Sequence, residues 1–353
     1  MTVMINHSKH VLWDVDLEAS RIWACVSALQ SYWMAVPILF FVSGMLVSLS
    51  LKNSSHWLEF FLKRILRIYP ALWSCVLLST AILLLLGHAT ISPTFLMWFG
   101  AQMTLFQFWT PDVMRDYGVG TPNGSLWVIP IIFQSYLLYA FLPRIHQKLK
   151  GILGKHAPLF VLLLAIILRQ VCLQISDSYT DALFVKLLGI SLLPWFLFFY
   201  SGYVCVLYFE NLMSLRIPTY VLVSLYLASV FLLNTYIEGF PRGNKVNSFV
   251  FLMLSLVLFK LAYVGDYRIS VFTKIEKLLR KYDVTFGIFI FHLVVANLIH
   301  EYQLIDSIAL RLITYFAVTF AIAFFSLICL EKPLRDNRMR IIHAITSRVL
   351  KPK

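Results

Sequence analysis

The chain has 353 residues, 60% of them hydrophobic and 13% charged, with a mean hydropathy of +0.79 and a formal net charge of +13. Soluble domains carry charge on about a quarter of their residues, so this composition excludes an ordinary soluble globular fold and points to an all-α, polytopic membrane protein. No nucleic-acid partner is expected; the basic residues sit between apolar runs, where they set topology.

The sequence opens on MTVMINHSKH: residues 1–5 are apolar but too short to cross a bilayer, and they run directly into a polar cluster. A hydrocarbon core about 30 Å thick requires roughly 20 apolar residues as helix. Nine stretches of about that length follow, at 32–51, 69–88, 125–143, 157–175, 183–209, 218–237, 248–264, 284–300 and 309–330. The aromatic stretch 93–109 is shorter and interrupted by Gly100, which predicts an interfacial or re-entrant piece.

Charge alternates between the loops. Lys52, Lys63, Arg64 and Arg67 follow the first span, and Arg144, Lys148, Lys150 and Lys155 follow the third. Arg268, Lys274, Lys277, Arg280 and Lys281 follow the seventh, and the C-terminal segment adds Lys332, Arg335, Arg338, Arg340, Arg348, Lys351 and Lys353. These loops are expected to be cytoplasmic. The opposite loops carry Asp14, Asp16, Glu18, Asp112, Asp116, Asp177, Asp181, Glu238, Glu301 and Asp306 against Lys9, Arg21, Arg115, Arg242 and Lys245. Nine spans with a cytoplasmic C-terminus place residues 1–31 outside, and a tenth span, entering from the cytoplasm and ending near Ile5 or His7, would complete the topology.

Cys25, Cys75, Cys172, Cys205 and Cys329 show no paired or metal-ligand spacing, so they read as buried free thiols, and no metal site is expected. There is no internal repeat. Residues 1–335 read as one transmembrane domain and 336–353 as a basic cytoplasmic tail.

Four segments carry further chemistry. Arg64 and Arg67 are three apart and share a helix face, where they either anchor the span or form an anion site with two guanidinium forks. Gln134 lies within the third span, and Trp127 precedes it after an Asn-Gly turn. His292 falls near the middle of the eighth span, where an ionisable side chain is costly and functional by default. Arg169 is the other deep charge; Lys186, Lys260 and Arg311 lie near span ends and are expected to snorkel. Glu331 and Lys332 end the last span, where Pro333 is expected to stop the helix.

In this order the phrases FFVSG (40–44), KRILRIYP (63–70), NGSLWVIP (123–130), FGIFIFH (286–292) and LEKPL (330–334) resemble the acyltransferase-3 family of bacterial membrane acyltransferases. The resemblance implies acetyl transfer from acetyl-CoA, as a donor substrate with no bound cofactor, to a hydroxyl of a surface polysaccharide such as the O-antigen of lipopolysaccharide. It also implies a multi-pass protein of the bacterial inner membrane. The family has ten spans, the first carrying an arginine and, eleven positions on, a histidine. His7 matches that histidine, and the arginine would fall before residue 1, so the resemblance implies that Met1 lies inside the family's first span.

On the same resemblance, His7 is the expected catalytic base, because a sugar hydroxyl needs one and an imidazole titrates near pH 6.5. Arg64 and Arg67 are the expected grip on the CoA phosphates, while Ser43 and Trp127 match motif positions. Ile132 stands where many members carry a glutamate, and the segment 285–292 lacks two tyrosines of the family form. Two rival readings are a non-catalytic member that binds glycan or protein, and a transporter or polymerase of lipid-linked glycans, which would more often show repeats or a large external loop.

Overall fold

The computed structural model describes residues 2–15, 21–54, 56–180, 182–236, 245–263 and 282–349. Several charges used above to set orientation, including Asp16, Glu18, Asp181, Glu238, Arg242, Arg268, Lys274, Lys277, Arg280, Lys281, Lys351 and Lys353, lie outside the described residues.

Among the described residues the chain is helical with no strand. In chain order the helices are α1 (Thr2–His7), α2 (Arg21–Tyr32), α3 (Ala35–Lys52), α4 (Trp57–Leu85), α5 (Pro93–Met103) and α6 (Val128–Leu153). Next come α7 (Ala157–Ser178), α8 (Leu183–Gly189), α9 (Phe196–Leu207), α10 (Phe209–Ser214), α11 (Thr219–Tyr236) and α12 (Ser248–Tyr263). The chain closes with α13 (Thr285–Tyr302), α14 (Ile308–Ser326), α15 (Lys332–Asp336) and α16 (Arg338–Val349).

Helix occupies every one of the nine apolar stretches read from the sequence. Among the described residues, six helical segments are long and apolar enough to cross a membrane, or seven if the bent pair α8 and α9, which meet at 42° across the turn at Leu193, forms one span. One of the six, Gly124–Ser178, is 55 residues long and contains both α6 and α7, which part at Gly154 (φ +56°). The stretch expected to be interfacial forms only the 11-residue α5, capped by the Ser92 side chain accepting from Phe95 N–H and begun by Pro93.

The chain divides into two compact units, one built from residues 1–20, 54–130 and 268–353, the other from residues 21–53 and 131–267. In the second unit, α3 packs closely against α9, and glycine is what permits it. A Cβ on Gly44 would overlap the Phe199 carbonyl, and one on Gly202 would overlap the Phe41 carbonyl. The glycine of FFVSG therefore serves helix packing. Tyr139 donates to the same Phe199 carbonyl at 2.6 Å, and Phe40 and Phe199 are stacked with centroids 4.5 Å apart.

In the first unit, α13 is the central element, packed by α1, α4, α14 and the turns at Ser8–Val11 and Gly124–Trp127. Residues 290–297 of α13 are buried on every side, the mark of a helix surrounded by others. That setting makes its polar residues, His292 and Asn297, internal by necessity.

Several sequence expectations change here. Arg311 and Lys260 do not snorkel: Arg311 is fully buried and Lys260 is 4% exposed, donating to Leu215 O at 2.7 Å. Cys25 and Cys329 are exposed, so only Cys75, Cys172 and Cys205 are buried thiols. Pro333 does not end helicity either. A π-turn at Leu327–Glu331 widens the end of α14, and Pro333 then occupies the first turn of α15, where its missing N–H costs nothing.

Candidate functional site

The polar opening segment is a docked element of the first unit. Ser8 Oγ donates to Ile5 O at 2.7 Å and closes α1 into a 3-10 turn, Ser8–Val11, whose Val11 is fully buried. Tyr315 of α14 donates to Met4 O, and Arg311 donates to Val11 O at 3.2 Å and to both carboxylate oxygens of Asp14 at 2.7 and 2.6 Å. The Arg311 guanidinium also lies over the Trp13 ring at 4.1 Å. A fully buried arginine needs such partners, and here they all come from residues 11–14 and Asp306.

That anchoring places His7 against His292. His7 Nδ1 and His292 Nε2 are 2.7 Å apart, with ring planes differing by 14° and centroids separated by 5.0 Å, as in two imidazoles meeting edge to edge. His292 Nδ1 faces the Ile288 carbonyl at 3.2 Å. A carbonyl only accepts, so the proton of neutral His292 sits on Nδ1 and its Nε2 carries a lone pair. The bond to His7 must then be donated by His7 Nδ1–H, which leaves the lone pair of His7 on Nε2. The geometry thus presents a half-buried histidine with a free basic nitrogen, held in one tautomer by a fully buried one.

Around this pair, His300 Nδ1 donates to His10 O at 2.9 Å, and the His10 ring lies 5.6 Å from that of His7. Burial, Lys9 and His300 hold the His10 pKa down to about 4, so it is neutral near pH 7. The loop that leads into NGSLW is tied to α13. Asn297 donates to Thr121 O at 2.8 Å and Pro122 O at 2.9 Å and accepts from Val119 N–H at 3.0 Å. Glu301 accepts from Gly118 N–H at 2.8 Å, and Asn123 donates to Ile290 O at 2.7 Å. One helix therefore carries the buried histidine and fixes the loop beside it.

A second polar cluster lies at the other end of α13. Arg67, Asp283, Glu331, Arg335 and Arg338, with Leu66, Phe286 and Leu327, line a cavity of about 50 Å³. Arg67 is bonded to Asp283 at 3.2 Å, and Asp283 also accepts from Thr285 N–H at the start of α13, a favourable place for a carboxylate. Arg64, the expected partner of Arg67, is not among the lining residues; its guanidinium lies 5.8 Å from the Phe60 ring centroid.

The remaining sequence candidates have structural surroundings. Gln134, in the second unit, donates to Ile190 O at 3.2 Å and accepts from Leu192 N–H at 2.8 Å, satisfying the backbone at the break between α8 and α9. Ser43 is half-buried on α3 beside Gly44, in that same unit. Trp127 is half-buried at the end of the turn before α6, and Ile132 is 95% buried where the family glutamate would stand. Arg169 is fully buried, donating to Pro194 O at 2.8 Å and Val246 O at 3.1 Å over the Phe198 ring.

Of the sequence candidates, the structure brings His7 and His292 together and gives Arg67 a pocket. Sequence reasoning missed Asn297, whose signal was a lone amide five residues after His292 in an apolar run, and Arg335 and Arg338, which read as topology charges.

Comparison with known proteins identifies the family. The family model described as "Acyltransferase domain" matches residues 3–331. The chain is 25% identical over 282 residues to Nodulation protein 10 of Rhizobium leguminosarum bv. viciae, covering 74% of this chain and 71% of that protein. No solved structure matches the chain. With a family match over nearly its whole length and a bundle of apolar helices long enough to cross a membrane, the chain belongs to the acyltransferase-3 family and is a membrane acyltransferase.

Proposed function

We propose that this protein moves an acetyl group from acetyl-CoA, taken from the cytoplasm, to a hydroxyl of a surface polysaccharide such as O-antigen, with His7 as the general base. The observation that carries the reading is the His7–His292 pair, which leaves one basic nitrogen available on the more exposed ring.

The chemistry follows from that nitrogen. His7 Nε2 takes the proton of the acceptor hydroxyl as its oxygen attacks the thioester carbonyl carbon. The new C–O bond forms, the C–S bond breaks, and the CoA thiolate leaves. His7 then returns its proton to the thiolate. His292 touches neither reactant; it holds His7 in the productive tautomer and stabilises the imidazolium by accepting its Nδ1–H, the role a third group plays behind other catalytic histidines. Phe286, at the start of the Phe286–His292 segment of α13, lines the same cavity as Arg67. From Phe286 to His292 the helix rises about 9 Å at 1.5 Å per residue, so the arginine-lined cavity and the base stand at different heights along α13.

This assignment places the protein in the bacterial inner membrane with its C-terminus in the cytoplasm, on the side of the loop arginines and lysines. The test is the ester-linked acetate content of surface polysaccharide from cells expressing the chain and from cells expressing His7→Ala at matched membrane level. Acetate that depends on His7 is the expected result. Equal acetate in both strains overturns the base assignment, and a chain that binds glycan with acetate in neither strain favours the non-catalytic alternative.

A further inference from the structure

The end of α13 remote from the arginine-lined cavity carries a polar cluster that takes no part in the transfer chemistry above. His88 follows α4, whose end is closed by Ala89 N–H donating to Leu83 O around Gly87 (φ +74°). Glu301 and Tyr302 end α13, and Tyr117 lies in the loop between α5 and α6. Gly118 lets that loop press onto the helix: its φ is +58°, and a Cβ there would overlap the Asn297 side chain. The Gly118 N–H holds Glu301 Oε2 at 2.8 Å, while Glu301 Oε1 stands 3.6 Å from His88 Nε2, beyond a hydrogen bond. Tyr302 Oη lies 3.4 Å from the same nitrogen. The Tyr117 ring packs into an apolar cluster with Leu83 and Trp98, 4.8 Å from the His88 ring. Tyr117 is 4% exposed, and its hydroxyl has no hydrogen-bond partner among the described residues. Burial, and then the charge of Glu301, push the phenol pKa up, so it keeps its proton and has a donor to give. A buried group of that kind calls for a partner from elsewhere.

We propose that His88, Tyr117, Glu301 and Tyr302 form a distal subsite for one uncharged sugar ring of the acceptor chain. The inference rests on the glycan-acceptor reading above and deepens it. Hydrogen-bond polarity selects the ligand. An ionised carboxylate only accepts and the Tyr117 phenol donates, so the ligand must do both. A sugar hydroxyl does. A phosphate or carboxylate cannot donate to Glu301 and is repelled by it, and an ammonium cannot accept from Tyr117. Among the described residues no three His, Cys, Asp or Glu side chains are grouped to hold a metal ion. The exposed ring of Tyr302 and the half-buried ring of His88 supply the aromatic walls usual in such sites. Position selects the distal role. Glu301 stands nine residues after His292, about 14 Å along the helix and half a turn round it. The ring held there is therefore not the one that His7 deprotonates; it is another unit of the same chain, which crosses the outer end of α13.

Polysaccharide from the expressing cells is stripped of its esters with mild alkali and cut by partial acid hydrolysis into a ladder from single sugars to several repeats. Acetyl transfer to each is measured with the full chain in nanodiscs as acceptor-dependent release of CoA thiol. Wild type is expected to show a KM about tenfold or more lower for the longest fragments than for single sugars, the scale of one or two hydrogen bonds. Tyr117→Phe, which keeps the packed ring, should raise the KM for long fragments about three- to tenfold, the scale of one neutral hydrogen bond. Glu301→Gln, which keeps an acceptor for the Gly118 N–H, should raise it about tenfold or more, the scale of a bond to a charged group. In both variants the KM for acetyl-CoA should stay at its wild-type value. A wild-type KM independent of fragment length, a comparison that needs no variant, overturns the proposal and leaves the acceptor reading standing. No transfer even to the longest fragments overturns both. A length dependence that survives unchanged in both variants places the subsite elsewhere and overturns the role of these residues.

Discussion

Replacing His292 tests the chemistry without touching the proposed base. His292 is fully buried, and its Nε2 is the acceptor 2.7 Å from His7 Nδ1. His292→Phe keeps an aromatic ring of similar size and removes that acceptor, so His7 either buries an unpaired N–H or turns over and loses the lone pair on Nε2. A buried donor left without its partner costs about 1–3 kcal/mol. At about 1.4 kcal/mol per tenfold, that is a fall in turnover of roughly 5- to 150-fold. Because His292 contacts no substrate in the scheme, the loss should fall on kcat and leave the KM for acetyl-CoA unchanged. His292→Gln restores a carbonyl oxygen as acceptor and should recover activity to within about tenfold of wild type. The assay is acceptor-dependent release of free CoA thiol by membranes of matched protein content, measured from pH 5.5 to 8. Wild-type kcat and an unmoved acid limb in His292→Phe, or a Gln variant no better than the Phe variant, would refute the reasoning.

Two further predictions concern the frame around the pair. Asn297→Ala removes three hydrogen bonds to the 119–122 backbone, and at about 1–3 kcal/mol for each stranded group it should cost about 3 kcal/mol or more, read as a lower melting temperature in detergent. The docking of residues 8–15 should weaken as pH falls from about 6.5 to 4. His10 is held neutral in the fold with its pKa near 4, while the released segment takes up a proton near the ordinary 6.5, so acid favours release across that window. Asp14, whose pKa Arg311 pushes down, keeps its ion pair through the same range and loses it only at lower pH. Limited proteolysis of the 8–15 segment against pH measures this, and His10→Gln should flatten the dependence.

What the sequence disclosed and what it hid divide along the range of the interaction. Apolar run length is local, so helix stands in all nine stretches, and FFVSG, NGSLW and FGIFIFH each fall where a close packing or a loop tie is now visible. The partnership of His7 with His292 spans 285 positions, and no pattern in either neighbourhood announces the other. Sequence alone predicts that Arg311 snorkels, because a charge near a span end ordinarily reaches for water. It turned inward because Asp14, 297 positions away, supplies a carboxylate. Arg335 and Arg338 look in sequence like the other C-terminal cations, because the π-turn that precedes them leaves no trace in spacing alone.

The surroundings of α13 suit this helix, more than a more polar one, to the proposed site. A catalytic histidine pair in a membrane needs rigid neighbours and no competing water, since every hydrogen bond that fixes the tautomer would otherwise be exchanged with solvent. A helix buried on all sides gives both, and it permits polar side chains only where each finds a partner. His292 and Asn297 meet that condition through Ile288 O, His7, Thr121 O, Pro122 O and Val119 N. The same rigidity fixes the axial offset of about 9 Å between Phe286 at the arginine-lined cavity and His292 at the base. On the proposed reading, that offset is fixed by the helix, and a donor bound at the cavity has to fold or extend its arm to meet it.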